Sequence, residues 1–250
     1  MKSVIITGAG SGIGAAVAKR LAKDGWNVTL NGRTEKKLKK VAKEIGKEKQ
    51  VLVCPGDVSK RDDVKNLIKR HVKQFGSLDG LVNNAGVIVD GAIDEVKYKD
   101  WQKVMRINVD GMFHTISLSK KHLVKAKGAI VNVSSVSGLG GDWNFSPYNT
   151  SKGAVSNMTR ALALDFAQEG VRVNAVAPSL TDTPMAEGVM DDKKVMSRFR
   201  DRIPMGRAAE PAEVADVVAF LLGDDARFVN GVILPVDGGL SASNGQPKLG

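Results

Sequence analysis

Cysteine is almost missing from this 250-residue chain: Cys54 stands alone. No internal disulfide can form, a Cys-rich zinc site is excluded, and the usage suits a reducing compartment. Aromatics are only 5% of residues, and no stretch approaches the roughly 18 uncharged apolar residues of a spanning helix. The 27 Gly and 8 Pro are neither clustered nor periodic, which excludes collagen-like and low-complexity chains. Met1-Lys2-Ser3 leads into only three strongly apolar residues, too few for a signal peptide, so a cytoplasmic location is expected. His71, His114 and His122 share no ligand spacing, so no metal is expected.

What remains, at 42% apolar residues, is enough to build one globular domain over 1–250. The net charge of +10 does not gather into a patch. Lys36, Lys37, Lys39, Lys40, Lys43 and Lys47 interleave with Leu38, Val41, Ala42 and Ile45, the pattern of a helix with one wet face. Lys65, Lys69, Arg70 and Lys73 do the same. Neither a nucleic acid nor a membrane is expected as partner.

Short β-branched runs alternate with amphipathic ones along the whole chain. Strands are expected at 4–7, 27–31, 51–54, 80–83, 129–134, 171–176 and 232–235. Helices are expected at 15–24, 35–45, 62–75, 99–124, 148–168 and 211–222. Gly25 and Gly170 follow two of them where a left-handed cap belongs, and Pro211 opens the last. Such alternation implies an α/β fold, a doubly wound parallel sheet with helices on both faces. Between 183 and 209 the alternation lapses into charged and Met-rich residues, which reads as an insertion above the sheet.

The first strand empties into Thr7-Gly-Ala-Gly-Ser-Gly-Ile-Gly14 and then a helix. Glycines let the backbone approach a pyrophosphate, and the helix N-terminus supplies N–H groups and a favourable dipole. This is the context that a dinucleotide site demands, and the lysine of a P-loop is missing. At the end of the second strand an NAD site usually carries an acid; here Asn31, Gly32 and Arg33 stand there. Arg33 can pair with a 2′-phosphate, so NADP(H) is expected over NAD(H), the alternative being a plain surface role for Arg33.

Tyr148 and Lys152 are four apart on a helical pattern and share a face. An ammonium beside a phenol stabilises the phenolate, so a lowered Tyr148 pKa is expected. Ser135 ends a strand thirteen residues earlier, where a loop can bring it to the phenol. Its neighbour Ser134 must point to the opposite face and reads as a structural hydroxyl. Cys54, in an apolar strand, reads as an inert core thiol.

With Thr7-Gly8-x-x-x-Gly12-x-Gly14, Asn83-Asn84-Ala85-Gly86, Asn108, Ser135 and Tyr148-x-x-x-Lys152 in order, the chain resembles the short-chain dehydrogenase/reductase family over nearly its whole length. Within that family it is most similar to the 3-oxoacyl-carrier-protein reductase-like members. The resemblance implies a single-domain, seven-stranded Rossmann fold in which hydride passes between a nicotinamide and a carbonyl or carbinol carbon. It implies Tyr148 as acid/base, and Lys152 as the group that tunes it and bonds the nicotinamide ribose. Ser135 would hold the substrate oxygen, and Asn108 would anchor a water leading from Lys152 to solvent. Gly8, Ser11, Gly12, Ile13, Gly14, Asp57, Val58, Asn84, Gly86, Pro178, Leu180 and Thr183 are the further cofactor contacts expected. Where the family often has Pro-Gly, this chain has Pro178-Ser179, and Ser is penalised at positive φ.

The function expected is an NADP(H)-dependent carbonyl reductase or alcohol dehydrogenase, its small ketone or secondary alcohol enclosed by Ser135, Trp143, Asn144, Tyr148 and the 183–209 segment. A 3-oxoacyl-carrier-protein reductase is the alternative, with Lys125, Lys127 and Arg172 as its docking cations. A non-catalytic dinucleotide sensor is the second. By the same resemblance a homo-oligomer, dimer or tetramer, is expected.

Overall fold

The computed structural model describes residues 1–246. Seven strands, β1 (Ser3–Ile6), β2 (Asn27–Gly32), β3 (Val51–Pro55), β4 (Gly80–Asn83), β5 (Ala129–Val133), β6 (Arg172–Pro178) and β7 (Ile233–Val236), form one parallel sheet. Their order is β3-β2-β1-β4-β5-β6-β7. The chain therefore winds outward from β1 in one direction, returns, and winds outward from β4 in the other. The crevice at the carboxyl ends of β1 and β4 is the switch point where such sheets bind ligands.

Side chains alternate across β1, so Val4 and Ile6 enter one core while Ile5 enters the other. The first core is closed by α1 (Gly12–Lys23), α2 (Glu35–Ile45) and α9 (Pro211–Leu222). The second lies under α3 (Arg61–Phe75), α5 (Gly111–Ala126) and α6 (Ser146–Ala167). The lysines of α2 and α3 point to solvent while Leu38, Val41, Val64, Leu67 and Ile68 are buried, as the charge pattern predicts. Gly25 and Gly170 hold φ of 90° and 78° after their helices.

The helix expected over 99–124 is divided. It runs as α4 (Tyr98–Met105), a π-helical turn over Arg106–Asp110, and then α5. The cause is Asn108, whose buried side chain accepts from the Val87 N–H at 2.8 Å and donates to the Val87 carbonyl at 2.9 Å. That reciprocal bond anchors the loop after β4 to the widened turn. The 183–209 segment is also more ordered than a bare insertion. It holds a short α7 (Glu187–Met190) and α8 (Lys193–Arg202), the latter capped by Asp192, which accepts from the N–H groups of Lys194 and Val195. A parallel bridge between Thr181 and Ala209 closes its base.

His71 is packed in the interior. Its ring nitrogens meet Thr29 Oγ1 at 2.7 Å and Ser3 Oγ at 3.2 Å, and its edge meets Phe75. Burial pulls its pKa down to about 4, against the Ser77 contact and the Asp79 charge, while His122 adds to the drop. A base whose pKa is lower folded than unfolded takes up its proton preferentially in the unfolded chain. Its effect is absent above about pH 6.5 and grows as pH falls toward 4, where it costs about 3 kcal/mol of stability. Urea unfolding at pH 7 and pH 4.5 should therefore give a smaller acid loss for His71→Gln than for the parent chain.

Candidate active site

Three elements converge at the carboxyl edge of the sheet: the β1–α1 turn, the end of β5 with its loop, and the first turns of α6. They surround a cleft of about 710 Å³. Gly8 and Gly12 hold φ of +66° and +52°, conformations that strain an L side chain. A Cβ on Gly8 would lie 2.7 Å from Asn84 Nδ2, and one on Gly12 would lie 3.0 Å from Thr183 Cγ2. The turn is held from behind: Asn84 Nδ2 donates to the carbonyls of Thr7 and Gly8, and the N–H groups of Asn84 and Ala85 donate to Thr7 Oγ1. No side chain caps α1, so its first N–H groups face the cleft.

Asn31 tests what this cradle accepts. Its Nδ2 donates to the Cys54 carbonyl at 3.1 Å, which fixes the amide orientation, and its buried Oδ1 has no partner among the described residues. An orphaned buried acceptor beside a glycine cradle fits the sugar or base of a nucleotide, whose hydroxyl and amino groups donate. Arg33 and Lys37 are exposed on the same wall. Lys37 also belongs to the solvated face of α2, and its periodicity carries no sign of this second position. Burial pushes the Asp57 carboxyl up, but bonds from the Ser59 N–H and hydroxyl, with the charges of Arg33 and Lys60, hold it below the usual range. The residues present fit a dinucleotide.

At the other end of the cleft stand Ser135, Tyr148 and Lys152. Ser134 does turn away: its Oγ meets Ser156 Oγ at 2.7 Å and donates to the Lys152 carbonyl at 3.2 Å. Ser135 Oγ accepts from the Ser137 N–H at 3.1 Å and donates to Ser137 Oγ at 3.0 Å. Lys152 is buried, with Nζ donating to the Val133 carbonyl at 2.8 Å and lying 5.5 Å from the Tyr148 ring centroid. Gly138 permits this packing, because a Cβ there would meet the Lys152 carbonyl at 2.5 Å.

The electrostatics differ from the expectation of a lowered phenol. Burial raises the Tyr148 pKa, the Ser135 contact pulls it down less strongly, and the Asp142 charge raises it further. Burial also brings Lys152 down to about 8. The ammonium lies against the ring and is spent on a backbone carbonyl, so loss of water dominates for both groups. At neutral pH Tyr148 is a phenol, an acid ready to donate.

Gly8, Ser11, Gly12, Ile13, Arg33, Asp57, Val58, Asn84, Gly86, Pro178, Leu180 and Thr183 all line the cleft, as does Trp143. Three expected contacts do not. Gly14 packs beneath the turn, where a Cβ would overlap the Gly8 carbonyl and lie 2.5 Å from Asn84 Nδ2. Asn144 turns aside with φ of 62°, its carbonyl accepting from the Gly91 N–H, and Phe145 takes its place on the wall. Asn108 sits behind, sharing with Lys152 a cavity of about 10 Å³, roughly the room one water needs. Ser179 keeps a negative φ, so the Pro178-Ser179 turn is unstrained. Cys54 is buried and its thiol is raised by burial.

A family model described as enoyl-(acyl carrier protein) reductase matches residues 8–241. Meso-2,3-butanediol dehydrogenase of Serratia marcescens is 45% identical over 248 residues, 99% of this chain and 98% of the relative. Among solved structures, the 3-ketoacyl-(acyl-carrier-protein) reductase of Brucella melitensis complexed with NADH is 34% identical, with a TM-score of 0.89 and coverage of 96% and 98%. The actinorhodin polyketide ketoreductase with NADPH is also 34% identical, with a TM-score of 0.91 and coverage of 97% and 98%.

Proposed function

The chain belongs to the short-chain dehydrogenase/reductase family of NAD(P)-dependent oxidoreductases, and on that premise we propose that it interconverts a small ketone and a secondary alcohol with NADP(H) as preferred cofactor. The observation that carries the reading is the meeting of Ser135, Tyr148 and Lys152 with the glycine cradle in one cleft. The nicotinamide, when bound, supplies or accepts the hydride.

On this reading the chain's own residues manage the proton and the geometry. The Tyr148 phenol donates to the carbonyl oxygen during reduction, and its phenolate takes the proton back during oxidation. Ser135 Oγ holds the substrate oxygen. Lys152, anchored on Val133, offers its charge to the phenolate as it forms, and the small cavity beside Asn108 gives a route for the proton to be replaced. The 183–209 segment covers the substrate, since Met185, Val189, Val195 and Phe199 close the cleft above Thr183.

NADP(H) is supported by Arg33 and Lys37 together with the lack of an acid at Gly32. A carrier-protein substrate has weaker support. Arg172 donates to the carbonyls of Leu221 at 2.7 Å and Gly223 at 3.1 Å, capping α9, so it is not free to dock a partner. Lys125 and Lys127 precede β5, at the sheet edge away from the cleft. Exposed Phe113 and Leu164 on α5 and α6, with Phe220 and Phe228 near α9, support a homo-oligomer. The buried lone thiol suits a cytoplasmic setting.

The test is a panel of small ketones and alcohols with both cofactors, read by nicotinamide absorbance. Arg33→Asp should weaken NADPH binding by at least about tenfold and leave NADH unchanged or improved. An unaltered cofactor ratio would return Arg33 to a surface role. A marked preference for a carrier-tethered 3-oxoacyl group over the free thioester would overturn the small-ketone reading.

A further inference from the structure

Beyond Lys152 the buried face of α6 stays polar through Ser156 and Thr159, and the proposed proton transfer makes no use of either. Thr159 is fully buried, as is Asn132 on the strand beneath it. Asn132 Nδ2 donates to Thr159 Oγ1 at 2.9 Å, and the Thr159 hydroxyl donates to the Val155 carbonyl at 2.8 Å. The one proton of Thr159 goes to Val155, so its oxygen can only accept; Asn132 has to present its NH2 group there and its oxygen elsewhere. That oxygen accepts from Asn83 Nδ2 at 2.9 Å, the two asparagines standing opposite each other in β4 and β5. Asn83 Oδ1 in turn accepts the Thr115 hydroxyl of α5 at 2.6 Å. The bonds thus run in one direction, from α5 across two strands to α6.

Apolar packing is non-directional and lets a helix slide along a sheet. A slide by one residue moves every group on α6 by about 1.5 Å, and a misplacement of about 1 Å at the reacting groups costs about a hundredfold in rate. Without the Thr159 hydroxyl the Asn132 NH2 group would lose its partner inside the core, and a shift of α6 on β5 is the relief open to it. Lys152 hangs on the next residue of β5, Val133, so the same shift disturbs the ammonium and the phenol together. Thr159 itself lies about 16 Å along the helix from Tyr148, out of reach of the reacting atoms. We infer that Thr159, oriented through Asn132, is a positioning residue for the reaction: it fixes how far α6 stands along the sheet and so aims the Tyr148 hydroxyl at the substrate oxygen. This rests on Tyr148 as acid/base and deepens that reading.

The experiment measures kcat, KM and NADPH affinity for the parent chain, Thr159→Val, Thr159→Ser, Tyr148→Phe and the double variant Thr159→Val with Tyr148→Phe. The substrate is the ketone of the panel with the highest kcat/KM. Thr159→Val keeps the shape and loses the hydroxyl: kcat falls about tenfold to a hundredfold, while KM and NADPH affinity stay within about twofold. Thr159→Ser, which keeps the hydroxyl, returns kcat to within about threefold of the parent chain. In the double variant the losses do not multiply, because no phenolic proton is left to aim; kcat stays within about twofold of Tyr148→Phe alone. Full NADPH stoichiometry reports that each variant has folded, and if Thr159→Val has not, Thr159→Ala carries the same comparisons. Normal kcat in the folded variant, a loss in Thr159→Ser as large as in Thr159→Val, or losses that multiply in the double variant would overturn the positioning role and leave Thr159 a packing residue. Near-normal turnover in Tyr148→Phe, or a parent chain that reacts with no ketone or alcohol, fails the broader reading and this one with it; a slow Tyr148→Phe beside a normal Thr159→Val sinks this one alone.

Discussion

Tyr148→Phe should lower kcat by about a hundredfold to ten-thousandfold, the span of a lost general acid/base, with cofactor affinity nearly unchanged. The substitution removes one oxygen and keeps the ring against which Lys152 lies at 5.5 Å. It also carries a pH signature. The phenol is raised by its burial, so the acid form that reduction needs persists through neutral pH, while the phenolate needed for oxidation grows only as pH rises. Lys152 loses its charge near pH 8, which withdraws support from that phenolate. Oxidation should therefore climb from pH 6 to about 8 and flatten above it, where Lys152 is neutral, while reduction should not climb, and in Tyr148→Phe the residual rate should lose this contrast. Initial rates in both directions from pH 6 to 9 measure it. Near-normal turnover in the variant would remove Tyr148 from the mechanism.

Gly14→Ala should be the most damaging single-methyl change in the cradle. The added carbon overlaps the Gly8 carbonyl and presses on Asn84 Nδ2, so either α1 or the Thr7–Gly8 turn has to move. Overpacking of this kind costs about 1–3 kcal/mol, and the turn that moves is the one that faces the nucleotide. Loss of at least about tenfold in dinucleotide affinity is expected beside a lowered unfolding midpoint. The same exchange at Gly153, where a Cβ meets nothing within 4 Å on α6, should stabilise by about 0.5–1 kcal/mol. Opposite signs at the two sites, read by denaturant unfolding and by titration with NADPH, would separate steric overlap from helix propensity. Matching effects would show that the overlap relaxes freely.

The fold was legible where period and punctuation agree. Glu35–Ile45, Gly80–Asn83 and Pro211–Leu222 coincide with the expected bounds, because apolar spacing, a left-handed Gly46 or an N-terminal Pro211 all mark the same ends. The division at Arg106–Asp110 was not, since Ile107, Met112 and Ile116 carry the apolar pattern across it; only a polar Asn108 inside that pattern hinted at it. The helices within 183–209 are too short for periodicity to register. The site shows the same boundary. Ser135, Tyr148 and Lys152 follow from order and spacing, but Lys37, the orphan oxygen of Asn31 and the Asn132–Thr159 bond depend on chain segments meeting in space. The rise of the Tyr148 pKa belongs to that class too, being set by how much water the folded chain excludes.

Trp143 gives the molecule an optical gauge of its own cleft. It is 91% exposed at the mouth, while Trp101 is half-buried on α4 and Trp26 is buried in the core. A solvated indole emits at longer wavelength than a buried one, so the red edge of the intrinsic fluorescence belongs chiefly to the cleft. A bound dinucleotide or a substrate settling against that ring can be followed there without a label, and unfolding of the core can be followed at the blue edge in the same sample.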